Sequence, residues 1–256
     1  MANYKNTLVI QSHSLPLSPS WLVSCIDSVK DWSQQHRFDY QFLDDRLFEL
    51  LPKAFMEQYA AQKVILTDYA RLLWLQKYLA QGYQTVVWLD ADFLIFNPDK
   101  FCLPESSYAV GREVWVQEDK KSQLRVYKKV HNAFLMFRQS NAFLDFYAET
   151  AEKLLRKNSG RVPPQFIGPK LLGALHNLVD LPVMETAGML SPLVIKDLIA
   201  GGGSALNLFS QHSLVPITGA NLSCSVAATE GLMRQDMEML MTILTDTCDN
   251  PLLKSI

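Results

Sequence analysis

The sequence predicts an α/β fold: a mostly parallel central sheet with helices on both faces. Three observations predict it. In the first half of the chain, short apolar runs alternate with longer amphipathic ones, the order that builds strand–helix–strand units. Residues 86–89, VVWL, are apolar throughout, the mark of a central strand covered on both faces. The chain has 256 residues, 48% hydrophobic and 20% charged, enough to bury a dense core.

The elements follow in order. TLVIQSHS (7–14) reads as a first strand ending in polar residues. PSWLVSCIDSVKDWSQQH (19–36) reads as a helix, with Trp21, Leu22, Cys25, Ile26 and Val29 on one face at 3–4 spacing. FDYQFLD (38–44) alternates like a strand. RLFELLPKAFMEQYA (46–60) is helical with a break at Pro52, which cannot donate to a helix ladder. TDYARLLWLQKYLAQG (67–82) is the clearest helix, with Thr67 as N-cap, Gly82 as stop and a stripe of Tyr69, Leu72, Leu75 and Leu79. VVWLDADFLIF (86–96) is expected as one strand, closed by Asn97 and Pro98. SYAVGREVWV (107–116) and VHNAFLMF (130–137) read as two more, and SNAFLDFYAETAEKLLRK (140–157) as a long amphipathic helix. Signals weaken beyond residue 160. A short helix is expected within 163–178, a helix with an abrupt glycine end over 191–203, a late strand at HSLVPIT (212–218) and a terminal helix over 228–246. No internal repeat or linker divides the chain, so a single domain over 1–256 is expected.

Composition narrows the function. A formal net charge of −2 argues against a global electrostatic grip on nucleic acid and leaves a local basic patch as the alternative. The cysteines Cys25, Cys102, Cys224 and Cys248 form no CxxC pair, so neither a zinc site nor a disulfide framework is expected, and a reducing compartment fits with most of them as small core residues. The N-terminus lacks a signal-peptide core and no apolar run reaches membrane-spanning length, so no transmembrane segment and a cytoplasmic location are expected.

Asp90 and Asp92 interrupt the apolar run. Residues two apart in a strand point to one side, and ligands of open α/β sheets bind at the carboxyl ends of strands. Two carboxylates facing one crevice repel unless a cation or a shared proton intervenes. Hard oxygen donors suit Mg²⁺ or Mn²⁺, and such a metal would in turn hold a diphosphate. The alternative is a solvated loop where Asp residues merely end a strand.

VVWLDADFLIFNPD resembles the hydrophobic-Leu-Asp-Ala-Asp block of the GT-A glycosyltransferases, the Rossmann-like sugar-nucleotide transferases with a DXD motif. HNAFLMFRQSNAFLDFYAE resembles their strand-then-helix block. TDYARLLWLQKYL resembles the Ser/Thr-Asp-x-x-Arg helix of the DXD sugar transferases related to the glucosylating toxins and yeast mannosyltransferases. The resemblance covers about residues 60–150. It departs at AQGYQTVV, with one glycine where toxin-like families carry two, and at Ala133, where a glycine often stands.

The resemblance implies a retaining, metal-dependent transfer of a sugar from a nucleoside diphosphate sugar, with uridine as the commoner base, to a glycan, lipid or protein hydroxyl. Asp92 would ligate the metal. Asp90 would bind it through water or touch the ribose. Asp68 and Arg71 would orient the donor sugar or its phosphates; the alternative is an exposed ion pair. Gln11 and Ser12 would lie near the base, with Ala91 also at the donor. Asn132 would approach the sugar or the acceptor and, with Arg71, is the catalytic candidate; the alternative is a strand-end turn residue. In PITGANLSCS (216–225), Asn221 with Ser223 or Ser225 is the candidate third metal ligand; His212 is expected as a surface histidine before a strand, with a metal ligand as its alternative. Residues 1–100 would form the donor half and 101–256 the acceptor half.

Further motifs carry weaker expectations. IGPKLL (167–172) resembles the Gly-Pro turn before an acceptor-side helix, or is an ordinary helix start after proline. AGGGSALNLF (200–209) is either a helix end with a linker or a mobile lid. EDKKSQLRVYKK (118–129), with Lys120, Lys121, Arg125, Lys128 and Lys129, is expected as a solvated loop; the alternative recruits an anionic acceptor or membrane surface. Two rival functions remain open at the sequence level. Asp90 and Asp92 could be nucleophile and general acid of a haloacid dehalogenase-like phosphatase, or the chain could bind a nucleotide sugar without turning it over.

Overall fold

The computed structural model describes residues 5–158, 160–246 and 250–253, of Lys5, Cys224 and Ser225 the backbone only. Cys248 and the Cys224 and Ser225 side chains therefore lie outside the described residues; of the other cysteines, Cys25 is buried and Cys102 exposed.

The elements run β1 (Lys5–Ser12), α1 (Ser20–Gln35), β2 (Asp39–Leu43), a 3-10 turn (Asp45–Leu50), α2 (Lys53–Gln58), α3 (Lys63–Ala80), β3 (Tyr83–Leu89), β4 (Phe93–Ile95), β5 (Tyr108–Glu118), β6 (Leu124–Arg138), α4 (Ala142–Lys157) and α5 (Pro169–Val179). Then come β7 (Val183–Met184), β8 (Ala187–Met189), α6 (Pro192–Ile199), α7 (Ser204–His212), β9 (Gly219–Asn221), α8 (Cys224–Thr229), α9 (Arg234–Thr245) and a short 3-10 turn (Pro251–Leu253).

The main sheet has six strands in the order β2-β1-β3-β6-β5-β7. β1 is parallel to both β2 and β3, and β5 to β7; β6 runs antiparallel between β3 and β5. Strand alternation divides the core. Leu8, Ile10, Val86, Trp88, Leu135 and Phe137 face one layer, against residues of α3 and α4. Val9, Val87, Leu89, Phe134 and Met136 face the other, against Val29 and Trp32 of α1. A second sheet of three short strands, β4-β9-β8, lies with α6, α7 and α9 around a further core cluster.

Several boundaries differ from the sequence expectation. The expected single strand over 86–96 is two strands in two sheets, broken at residues 90–92, where the Phe93 N–H bonds to the Asp90 carbonyl at 3.0 Å. The premise that Asp90 and Asp92 share one strand face therefore fails. Thr67 is not an N-cap: α3 starts at Lys63 because Ile65 and Leu66 are buried and extend its apolar contact backwards. Gly82 does end that helix region, at φ +99°. HSLVPIT is not a strand; it holds the end of α7 and a loop whose Leu214 is 69% exposed, and β9 starts only at Gly219. The terminal helix is split at Gly231, whose φ of +80° no helix accommodates. Residues 118–129 run from the end of β5 through an exposed hairpin turn into β6, so only the tip is a loop; α6 does end at Ile199, and α7 starts at Ser204. Asn132 lies inside β6, not at a strand end.

Candidate functional site

β3 ends at Leu89, and the chain then crosses from the main sheet to the second one through Asp90, Ala91 and Asp92. Backbone bonds pin this crossing from three sides. The Asp90 N–H donates to the Ala133 carbonyl at 2.9 Å, the Leu222 N–H to the Asp92 carbonyl at 2.9 Å, and the Gln11 side-chain Nε2 to the Asp90 carbonyl at 3.1 Å. Gln11 in turn accepts from the Tyr40 hydroxyl at 3.0 Å.

Arg71 is the hub. The i,i+3 spacing puts it on the face of α3 that carries Asp68, and both residues are buried rather than an exposed pair, because α3 is covered nearly all round. Its Nη2 lies 3.2 Å from Asp68 Oδ1, and its Nη1 donates to Asp90 Oδ1 at 2.9 Å and to the Asn132 carbonyl at 2.7 Å. The Trp88 indole N–H also donates to Asp90 Oδ1, at 2.7 Å, while the Arg71 guanidinium lies 5.1 Å from the Trp88 ring centre. Burial draws the Arg71 pKa down, but Asp90 and Asp68 outweigh it and hold the net direction upward. Arg71 is a fixed cation.

Asn132 Nδ2 donates to Asp68 Oδ1 at 2.8 Å, while Asp68 Oδ2 is buried with no hydrogen-bond partner among the described residues. Burial pushes Asp68 up to about 6, against the opposing pull of Arg71 and the Asn132 bond. An orphaned buried carboxylate oxygen costs free energy, and a ligand group can satisfy it. Gly168, at the start of α5, packs directly on this pair: a Cβ there would meet Asp68 Oδ2 at 2.6 Å and Asn132 Nδ2 at 2.7 Å. That close approach requires glycine here.

On the other side of the crossing, Asn221 Nδ2 donates to Asp92 Oδ1 at 2.6 Å, and Asn221 Oδ1 accepts the Ser223 N–H at 2.8 Å. Ser223 holds a left-handed backbone, φ +50°, and its buried hydroxyl has no partner among the described residues. His131 is fully buried; its Nδ1 accepts the Ala133 N–H at 3.1 Å and its Nε2 meets the Ala187 carbonyl at 3.2 Å. Burial lowers its pKa to about 4, so it is a neutral Nε2–H tautomer that joins β6 to β8.

Asp68, Arg71, Asp90, Asp92, Asn132 and Asn221 all line one cavity of about 360 Å³ at the carboxyl end of β3. Gln11 stands behind it, bonded to Asp90. Ser12 and Ala91 are not on its wall, and His212, at the end of α7 with its ring on the Leu208 carbonyl, is not brought to it. Sequence reasoning missed Glu113, Trp115, Gln117 and Gln165, which share the wall.

The donor set fits a hard cation. Asp90 and Asp92 present carboxylates at one wall, and Asp90 Oδ2 has no hydrogen-bond partner among the described residues. Among the described residues no group of three or more His, Cys, Asp or Glu forms a metal cage, so a cation here would complete its shell with ligand and water oxygens. No helix of the described residues is long and apolar enough to cross a membrane.

No family model and no curated protein matches the chain. Solved structures do. A glycosyltransferase involved in glycosylation of the major capsid of PBCV-1 matches with a TM-score of 0.50 at 10% identity, over 92% of this chain and 98% of that one. The galactosyltransferase LgtC, solved with donor and acceptor sugar analogues, matches with a TM-score of 0.42 at 10% identity, over 92% and 95% of the two chains. Mouse xyloside xylosyltransferase 1, in its apo form, matches with a TM-score of 0.42 at 9% identity, over 87% and 98%. The first likeness assigns the fold: this chain has the Rossmann-like GT-A architecture.

Proposed function

We propose that the chain is a metal-dependent glycosyltransferase that moves a sugar from a nucleoside diphosphate sugar to an acceptor hydroxyl. The observation that carries this is the shared cavity of Asp90 and Asp92, at the strand end where the chain passes between two sheets, with Asp68, Arg71 and Asn132 on the same wall. Its position agrees with the rule that open α/β sheets bind ligands beyond the carboxyl ends of their strands.

Asp92 and Asp90 would hold Mn²⁺ or Mg²⁺; Asn221, expected as a third ligand, would instead fix Asp92, since its Oδ1 already accepts the Ser223 N–H. When bound, the cation neutralises charge gathering on the departing diphosphate. The protein's own groups do the positioning. Arg71 clamps Asp90 and Asp68 in one orientation, so both are set before a donor arrives. Asp68 and Asn132 line the cavity in which the donor sugar would sit, and would orient it there. Gln11 and Ser12, at the end of β1, lie on the side proposed for the base. Residues 1–100 would thus serve mainly the donor and 101–256 the acceptor. Retention of configuration and a uridine base follow from the families that the motif resembles.

The phosphatase alternative fits less well. The solved structure whose fold this chain shares is a glycosyltransferase, not a phosphatase.

Release of the nucleoside diphosphate from a set of uridine and guanosine diphosphate sugars, with and without Mn²⁺, tests the proposal. Release should need the metal and be lost in Asp92→Asn. Undiminished release in that variant overturns it, and donor binding without release in the wild type would make the chain a binding protein.

A further inference from the structure

The β5–β6 hairpin carries a face that the proposed reaction leaves unused. Alternation along β5 turns Glu113, Trp115 and Gln117 to one side and Val114 and Val116 to the other, where both valines are buried in the core. The register sets Glu113 opposite Lys129, Trp115 opposite Tyr127 and Gln117 opposite Arg125. Directly opposed residues of an antiparallel pair share a side, so acid, aromatic and amide groups line up in one strip. Glu113, Trp115, Gln117 and Lys129 all reach the cavity of about 360 Å³. Trp115 and Gln117 also border an adjoining cavity of about 600 Å³ closed by Lys196 of α6 and Val226 of α8.

Glu113 is the anomaly. The residue is 9% exposed, and its side chain makes no hydrogen bond and no ion pair among the described residues. The ammonium of Lys129, its cross-strand neighbour, lies over the Tyr127 ring instead, 5.2 Å from the centre. A carboxyl so deeply buried is ordinarily paired, and its route to a partner is the cavity that it lines. Burial raises its pKa, with Lys129 acting the other way. Two residues on, Trp115 is half-buried, its indole N–H satisfied by Gln117 Oε1 at 3.0 Å, and no aromatic ring among the described residues stacks on it.

Resting on the glycosyl-transfer assignment above, we propose that this strip is the acceptor subsite and that the acceptor is a saccharide. A pyranose ring has an apolar C–H face and a rim of hydroxyls. Trp115 covers the face, and Glu113 accepts from a hydroxyl of the rim. A lipid chain would need a contiguous apolar wall, whereas Glu113, Gln117, Lys129 and Asn132 supply polar groups throughout.

The test is saturation-transfer NMR on the purified chain with methyl glycosides of glucose, galactose, mannose and N-acetylglucosamine, and with lactose and maltose, each at millimolar concentration. At least one sugar should receive saturation, concentrated on its ring C–H protons. Trp115→Ala and Glu113→Ala should each reduce affinity roughly tenfold, with Glu113→Gln in between and the thermal midpoints kept. No transfer to any of these sugars overturns the proposal, as does a signal that survives Trp115→Ala undiminished. Asp92→Asn, which removes the proposed metal ligand, should keep the sugar signal. Sugar binding without nucleotide-sugar turnover would remove the transfer assignment and leave the saccharide site supported; turnover without sugar binding, or turnover stimulated by a peptide hydroxyl alone, would do the reverse.

Discussion

The guanidinium of Arg71 and the carboxylate of Asp90 lie 2.9 Å apart and tie α3 to the crossing between the two sheets. The same guanidinium holds Asp68, so one buried cation balances two carboxylates.

Removing that cation leaves both acids without compensation in a buried setting. Arg71→Met should cost about 3–5 kcal/mol of unfolding free energy, read by urea denaturation. Adding Asp68→Asn to that variant should recover part of the loss. A cost below about 1 kcal/mol would mean that the cluster is far wetter than its burial implies.

Asp68 makes stability depend on pH in a defined direction. Burial, opposed by Arg71 and Asn132, raises its folded pKa from 3.8 to about 6. Below both values the group is protonated in the folded and unfolded chain alike and contributes nothing through ionisation. As pH climbs from 4 to 6 the unfolded chain releases its proton first, which favours unfolding. The wild type should therefore lose on the order of 3 kcal/mol relative to Asp68→Asn across that window, and the difference should then level off. Urea unfolding of both proteins at a series of pH values measures it, and a constant difference contradicts it.

Gly168→Ala should disturb the site more than the fold. The new Cβ would press on Asp68 and Asn132, and one or both must move. Overpacking of this kind costs about 1–3 kcal/mol. Turnover should fall well beyond what that loss of folded protein explains, since displacing positioning groups by an ångström is enough to slow a reaction about a hundredfold. Unchanged turnover would show that the Asp68–Asn132 geometry does not matter.

His131 should stay neutral through physiological pH. Nitrogen-15 NMR of the imidazole should report an Nε2–H tautomer and a pKa near 4, lowered mainly by burial. Gly111→Ala, whose Cβ would overlap the His131 ring, should destabilise the chain and disturb that tautomer. A freely titrating ring near pH 6.5 would contradict the packing.

Much of the architecture was legible because burial follows periodicity. The α1 stripe and the apolar β3 run announce themselves. Asp68 and Arg71 were legible as one helix face, but not as buried, since spacing alone does not reveal that α3 is covered on nearly every side. The second sheet was not legible: β8 and β9 have three residues each, too few for an alternation. HSLVPIT misled because Leu214 and Val215 are apolar yet exposed. Glu113 was overlooked for the converse reason: the run EVWVQ reads as a strand from its valines, and the polar residues between them drew no notice although they reach the cavity.

The most direct measurement is the thermal midpoint of the wild type and of Asp92→Asn with uridine diphosphate, with Mn²⁺, and with both. A nucleotide at about a hundred times its dissociation constant stabilises by about 2.7 kcal/mol, worth roughly 5–10 °C in a chain of this size. The wild type should rise by that much only when metal and nucleotide are present together, and Asp92→Asn should not rise. A midpoint that ignores the combination, for uridine and guanosine diphosphate alike, or that rises equally in Asp92→Asn, would contradict a cation-held diphosphate at the end of β3.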